Sequence, residues 1–158
     1  MTGRTHRYEV TVRWTGNTGS GTSGYKTYKR DHEIASGVLK QPILGSSDPA
    51  FRGDPARWNP EELLVASLSA CHKLWYLHLC AEAGVVVNEY VDDAEGTMEE
   101  SPDGSGTFRR VLLRPRVTIA SGSDSDKARS LHDVAHAKCF IANSVNFPVE
   151  HKSTLGIA

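Results

Sequence analysis

Three cysteines, Cys71, Cys80 and Cys139, are the residues best equipped for covalent chemistry. A thiolate is a strong nucleophile and a soft metal ligand, and a thiol with an ordinary pKa near 8.5 becomes reactive when a nearby cation favours its ionised form. Three widely spaced cysteines do not form the paired framework of a small secreted domain. Cys71 and Cys80 lie nine residues apart in a stretch with a helical pattern. That separation puts them on opposite faces of a helix with a rise of about 13 Å. A disulfide needs Cα atoms within about 7 Å, so at most one of the two pairs with Cys139. One helical turn from Cys71 stand Ser67, Leu68, Leu74 and Trp75. Such an apolar wall raises a thiol's pKa unless a cation opposes it. Cys80 has only Tyr76, Leu77, Ala83 and Gly84 at the same spacing, so it reads as packing.

Metal chemistry is the competing use. Cys71, His72, His78, His136 and Cys139 hold enough soft ligands for zinc. Yet adjacent Cys71 and His72 point about 100° apart on a helix, and His136 with Cys139, at i and i+3, is the one pair read as well spaced. No metal or other cofactor is expected, and the seven histidines read as partly exposed polar residues.

The element that must position Cys71 is the stretch Asn59–Gly84. Asn59 is an N-cap, Pro60 stands at N1, and Glu62 at N3 completes a capping box. Glu61 and Glu62 put negative charge at the positive end of the helix dipole. Gly84 is a C′ residue. The predicted helix is about 24 residues, or roughly 36 Å, long. Its leucines, Trp75 and Tyr76 cover most of its circumference, and a helix apolar nearly all round is buried on all sides. Glu, Lys and His interrupt it too often for a membrane span.

The rest of the chain alternates strand and helix signals. Tyr8, Val10, Val12 and Trp14 alternate with polar residues, and Tyr25, Thr27 and Lys29 suggest a second strand across a glycine-rich turn. Residues 41–58 read as a long loop carrying Arg52 and Arg57. Strands are expected from Val85 through Val91 and from Phe108 to Ile119, with Pro115 marking an edge or bulge. A second helix starts at Ser123–Asp126 and runs towards Cys139, and a last extended segment begins at Phe147. This order predicts an α+β fold, an antiparallel sheet with segregated helices, in a single domain spanning 1–158. The 158 residues suffice for one core, and a net charge of −1 without a basic stripe points away from nucleic acid and membrane surfaces. The N-terminus lacks an apolar signal segment, which leads to the expectation of a cytoplasmic protein.

Two motifs then become specific. NPEELLVASLSAC, Asn59 to Cys71, and AHAKCFIANSV, Ala135 to Val145, together resemble the OsmC/Ohr family. The family pattern is NPEEL or NPEQL, a cysteine ten residues after the first Glu, and a second helix ending in a lone cysteine. The resemblance extends over most of the chain. It implies an OsmC-like fold, an intertwined homodimer with long central helices at its heart. It also implies a thiol-dependent peroxidase acting on organic hydroperoxides and reset by a lipoyl-type or small dithiol. By position, Cys71 matches the peroxidatic cysteine, Cys139 the resolving cysteine and Glu61 the family glutamate. Arg52, nine residues before Glu61, matches the arginine of the OsmC branch, while the Ohr placement in the N-terminal hairpin keeps Arg30 open. A straight helix separates Glu61 from Cys71 by about 15 Å, so a Glu61–Arg52 pair is expected to serve the second subunit's cysteine. His72 departs from the hydrophobic residue common after the first cysteine, and Cys80 has no family counterpart. A small-molecule binding protein on the same fold and a Cys–His hydrolase are the alternative classes.

Overall fold

A computed structural model of the chain describes residues 3–158. The chain divides into two compact units, one ending at Leu63 and the other running Leu64–Ala158.

The first unit carries a three-stranded antiparallel sheet, β1 (Thr11–Trp14), β2 (His32–Ala35) and β3 (Ile43–Gly45), paired in that order. The hairpin partner predicted at Tyr25–Lys29 is not a strand; β2 starts three residues further on. Side chains capture the backbone there instead. Asn17 Oδ1 accepts the N–H groups of Gly19 and Gly21 at 2.9 and 3.0 Å, and Thr27 Oγ1 accepts that of Gly24 at 3.0 Å. Such local bonds compete with a ladder and hold the segment as turns. The expected loop 41–58 contains β3 and a 3-10 turn, Pro49–Phe51, capped by Asp48.

Helix α1 spans Pro60–Glu82. Its capping box is closed in both directions: Glu62 N–H donates to Asn59 Oδ1 at 2.8 Å, and Asn59 N–H to Glu62 Oε2 at 3.3 Å. At the other end Gly84 takes φ 71°, Gly84 N–H bonds to Ala81 O and Val85 N–H to Cys80 O, the crossed pair of a Schellman motif. The expectation of burial all round is not met within one chain. Only the stripe Leu68, His72, Tyr76 and Cys80 is buried, and Leu74 is 63% exposed. A single chain of this size covers one face of such a helix and leaves the others.

The second unit contains β4 (Val87–Asp92), β5 (Glu95–Glu100), β6 (Gly106–Leu113), β7 (Pro115–Ile119), α2 (Ser125–Lys138), β8 (Val149–His151) and β9 (Thr154–Ile157). They form two three-stranded sheets, β4-β7-β9 and β5-β6-β8. Pairs β4/β7 and β5/β6 are antiparallel, whereas β6/β8 and β7/β9 are parallel. The strand predicted over 108–119 is therefore two strands in different sheets. The break falls at Arg114, whose N–H leaves the ladder for Asp92 Oδ1, followed by Pro115, which has no N–H to give. One core joins Tyr76 and Cys80 of α1 to Val117, Ile119, Ala128, Leu131 and Ala135; the other joins Leu68 to Val111 and Leu113. Among the described residues, no helix is long and apolar enough to cross a membrane.

Candidate functional site

Helix α2 is capped by Asp124, which accepts Lys127 N–H at 2.9 Å, and it ends at Cys139, whose ψ of 111° turns the chain out of the helix. Its i, i+3 and i+4 pattern packs Ala128, Leu131 and Ala135 onto α1 and the sheet, which carries its C-terminus to Cys71. The two thiols, 68 residues apart in sequence, are neighbours in the fold. Both are free. Cys139 is 1% exposed, and Ala142 N–H donates to its Sγ at 3.4 Å. Burial pushes the Cys139 thiol up to about 11; the Ala142 amide opposes this, and the neighbouring Cys71 sulfur adds to it. A thiol so placed stays protonated at neutral pH.

Cys71 is half-buried and opens onto a cavity of about 360 Å³ lined by Leu74, Trp75, His78 and Phe140. Phe140, the residue released by the turn at Cys139, meets Trp75 edge-to-face at 5.6 Å. One wall of the pocket, Phe140, thus comes from the same helix end that delivers Cys139, and the others stand on α1. Cys80 sits elsewhere, 1% exposed in the core, its thiol pushed up by burial.

The first unit holds the other two sequence-derived site residues, Arg52 and Glu61, and separates the arginine candidates. Arg30 spends its guanidinium on the carbonyls of Tyr28 and Tyr25, at 2.8 and 2.9 Å. Arg57 faces Asp31 and Asp54 at 3.8 and 3.7 Å. Arg52 is exposed, and among the described residues it has no ion-pair partner; its guanidinium lies 5.9 Å from the Tyr25 ring. It is also the one non-glycine described residue with positive φ, 65°, a conformation that costs energy and concentrates at functional positions. Glu61, in the first turn of α1, has a buried carboxylate oxygen, Oε2, without a partner.

The histidines depart from expectation. His72 and His132 are 1% and 2% exposed, not partly exposed polar residues. His72 Nε2 lies 3.0 Å from His132 Nδ1, one donating and the other accepting. The His132 ring stacks on Tyr76 at 3.9 Å. Burial lowers His72 to about 4 and His132 to about 3, helped by the neighbouring imidazoles, so both are neutral at pH 7. His132 and His136 form an HxxxH pair on α2 that the sequence reading passed over; that i, i+4 spacing was the available signal. Among the described residues, no three His, Cys, Asp or Glu side chains are placed to hold a metal ion.

Residues 53–154 match the sequence profile of a family described as OsmC-like protein. An OsmC-like protein of unknown function from Vibrio cholerae O1 biovar eltor has a solved structure 29% identical to this chain. It superposes with a TM-score of 0.84 over 95% of this chain and 100% of its own. An organic hydroperoxide resistance protein from Elizabethkingia anophelis, 18% identical, gives a TM-score of 0.69 over 99% of this chain and 100% of that one. The organic hydroperoxide resistance protein OhrB of Bacillus subtilis, 19% identical, gives 0.60 over 95% and 98%. The last two likenesses establish a shared fold.

Proposed function

The chain belongs to the family of OsmC-like proteins, and we propose that it is a thiol-dependent peroxidase that reduces organic hydroperoxides to alcohols. One observation carries this reading: a cysteine on an apolar pocket with a second, buried thiol as its neighbour. The names of the Elizabethkingia and Bacillus proteins of the same fold support it.

In the first step the Cys71 thiolate attacks the distal peroxide oxygen. The O–O bond breaks, Cys71 becomes a sulfenic acid, and the alkoxide takes a proton and leaves as the alcohol. The cavity beside Cys71, walled by Leu74, Trp75 and Phe140, suits the organic group. In the second step Cys139 attacks the sulfenic sulfur. The S–S bond forms, the S–O bond breaks, and water departs. An external dithiol, of lipoyl type or small, returns both thiols by exchange. Arg52 supplies the cation that stabilises the attacking thiolate, and Glu61, whose buried Oε2 has no partner within the chain, is the carboxylate that takes up this guanidinium when the site assembles.

The assembly proposed is a homodimer in a cytoplasmic setting, in the service of oxidative stress defence. Its support is α1, an apolar helix of which one chain buries a single stripe. A second copy covers the remaining faces and brings its own Arg52 and Glu61 to the first copy's Cys71.

The test is thiol titration before and after one equivalent of cumene hydroperoxide, with peptide mapping. The expected result is loss of two thiols per chain, one Cys71–Cys139 disulfide, and Cys80 still free. Unchanged thiols would leave a binding protein, and an acyl-enzyme formed on an ester probe would make it a hydrolase.

A further inference from the structure

Helices α1 and α2 and strand β8 gather four imidazoles that the steps above do not use. His72 and His132 share the 3.0 Å hydrogen bond. The His151 ring centroid lies 5.5 Å from that of His72, 5.9 Å from His132 and 5.7 Å from His136. His151 Nε2 is 3.1 Å from the carboxylate of Asp133, whose side chain is 83% exposed. The array thus reaches solvent at Asp133. At its other end His136 stands one helical turn before Cys139, whose N–H bonds to the His136 carbonyl at 3.2 Å. Side chains three apart on a helix share a face, with Cβ atoms about 5–6 Å apart. The Nδ1 atoms of His136 and His72 are buried without a partner. An unpaired buried polar atom is destabilising where an apolar side chain of similar size is not, so packing alone does not account for them.

The second step of the proposed reaction has a proton problem. As Cys139 attacks the sulfenic sulfur of Cys71, the Cys139 S–H proton must leave and the departing oxygen must gain one. Burial keeps Cys139 protonated until then. When a dithiol later opens the disulfide, the Cys139 sulfur needs its proton back.

We propose that the imidazole array is the proton conduit of the Cys71–Cys139 pair, with His136 as its inner terminus. His136, in its Nε2–H tautomer, accepts the Cys139 proton at Nδ1 through one water. His151 and Asp133 exchange it with solvent, from which the leaving hydroxide is protonated. The groups that face this path are His72 and Tyr76 from α1, His132, Asp133 and Cys139 from α2, and His151 from β8. Among the described residues, Asp133 is the one carboxylate in contact with the array. The proposal rests on the peroxidase reading.

The test is single-turnover oxidation by t-butyl hydroperoxide with rapid acid quench, resolving sulfenic acid formation from disulfide formation by mass spectrometry. In His136→Gln the disulfide step should slow about a hundredfold at neutral pH, the lower end for general acid–base catalysis. Sulfenic acid formation should stay within about twofold of wild type, since that step does not use the conduit. The defect should shrink as pH rises towards the ionisation of Cys139 itself, and added imidazole should restore part of the rate. Asp133→Asn alters an exposed side chain and keeps the test open if His136→Gln fails to fold; its disulfide step should slow with a displaced pH profile. Wild-type rates and pH profiles in both variants, or in Asp133→Asn alone where His136→Gln is unfolded, overturn the conduit while leaving the peroxidase intact. A wild-type protein that forms no sulfenic acid overturns both.

Discussion

Helix α1 carries two cysteines nine residues apart, and the fold treats them in opposite ways. Cys71 is half-buried on an apolar cavity and faces a second thiol. Cys80 is packed with Tyr76, Val117 and Ile119, and Tyr76, its polar neighbour, donates its hydroxyl proton to Ala128 O at 3.1 Å. The rotation of about 180° between them puts one sulfur beside the broken end of α2 and the other against its regular first half. Helix ends release side chains and amide groups that a continuing helix would occupy. A thiol placed there gains an N–H donor, as Cys139 does from Ala142. The two sulfurs differ in what the second helix presents to each, since both lie in similarly apolar local sequence.

The largest expected effect tests the reactive side. Cys71→Ser should abolish hydroperoxide-dependent thiol loss, whereas Cys139→Ser should halt at a Cys71 sulfenic acid that a dimedone probe traps. If Cys71→Ser still forms a disulfide with peroxide, the contrast is drawn at the wrong cysteine. Next, Arg52→Ala should slow Cys71 oxidation at pH 7 by about tenfold, equivalent to about 1.4 kcal/mol. Arg30→Ala and Arg57→Ala should have less effect, since Arg30 is bonded to two carbonyls and Arg57 is flanked by two carboxylates, although its Nη1 is unpartnered. Single-turnover rates of the three variants decide the assignment, and a collapse in Arg30→Ala alone would move the cation to the hairpin.

A third effect concerns stability on the buried face that separates the two cysteines. His72 and His132 have folded-state pKa values near 4 and 3, below the unfolded value of 6.5. Above 6.5 both states leave them neutral and there is no penalty. Between 6.5 and about 4 the unfolded chain binds protons that the folded chain refuses, so stability falls with falling pH. The slope approaches about 1.4 kcal/mol per pH unit for each proton. Urea midpoints between pH 7 and 4.5 should show this, and His72→Gln should flatten it; an equally steep loss in that variant would assign the acid sensitivity to other groups. The smallest effect is expected at Cys80→Ala, with peroxide turnover within about twofold and a stability loss of about 1 kcal/mol from a small buried void. A turnover loss as large as that of Cys139→Ser would dissolve the distinction.

What could be read ahead of the fold was what lies within a few residues. The capping box Asn59–Glu62, the Gly84 terminus and the Asp124 cap are contacts between near neighbours, so both helices were legible. The motif around Cys71 and the lone cysteine after α2 marked the candidate site residues, and the half-turn between Cys71 and Cys80 set those two apart. The second strand was misplaced because Asn17 and Thr27 trap their own backbone, a competition that composition does not reveal. The single strand expected over 108–119 was divided by a bond from Arg114 N–H to Asp92, 22 residues away.

By itself, then, the sequence determined the two helices, their caps, and two cysteines carried on them as a candidate nucleophile and a candidate second thiol. Tertiary structure alone decided that Cys71 meets Cys139 and that His72 meets His132 across 60 residues, with His151 joining from β8. It also decided that, of the three candidate arginines, Arg52 is the one whose guanidinium has neither an ion pair nor a hydrogen bond among the described residues. Caps depend on bonds within one turn. The thiol pair and the imidazole array depend on how one helix face packs against another, and no local pattern in either segment encodes that partner.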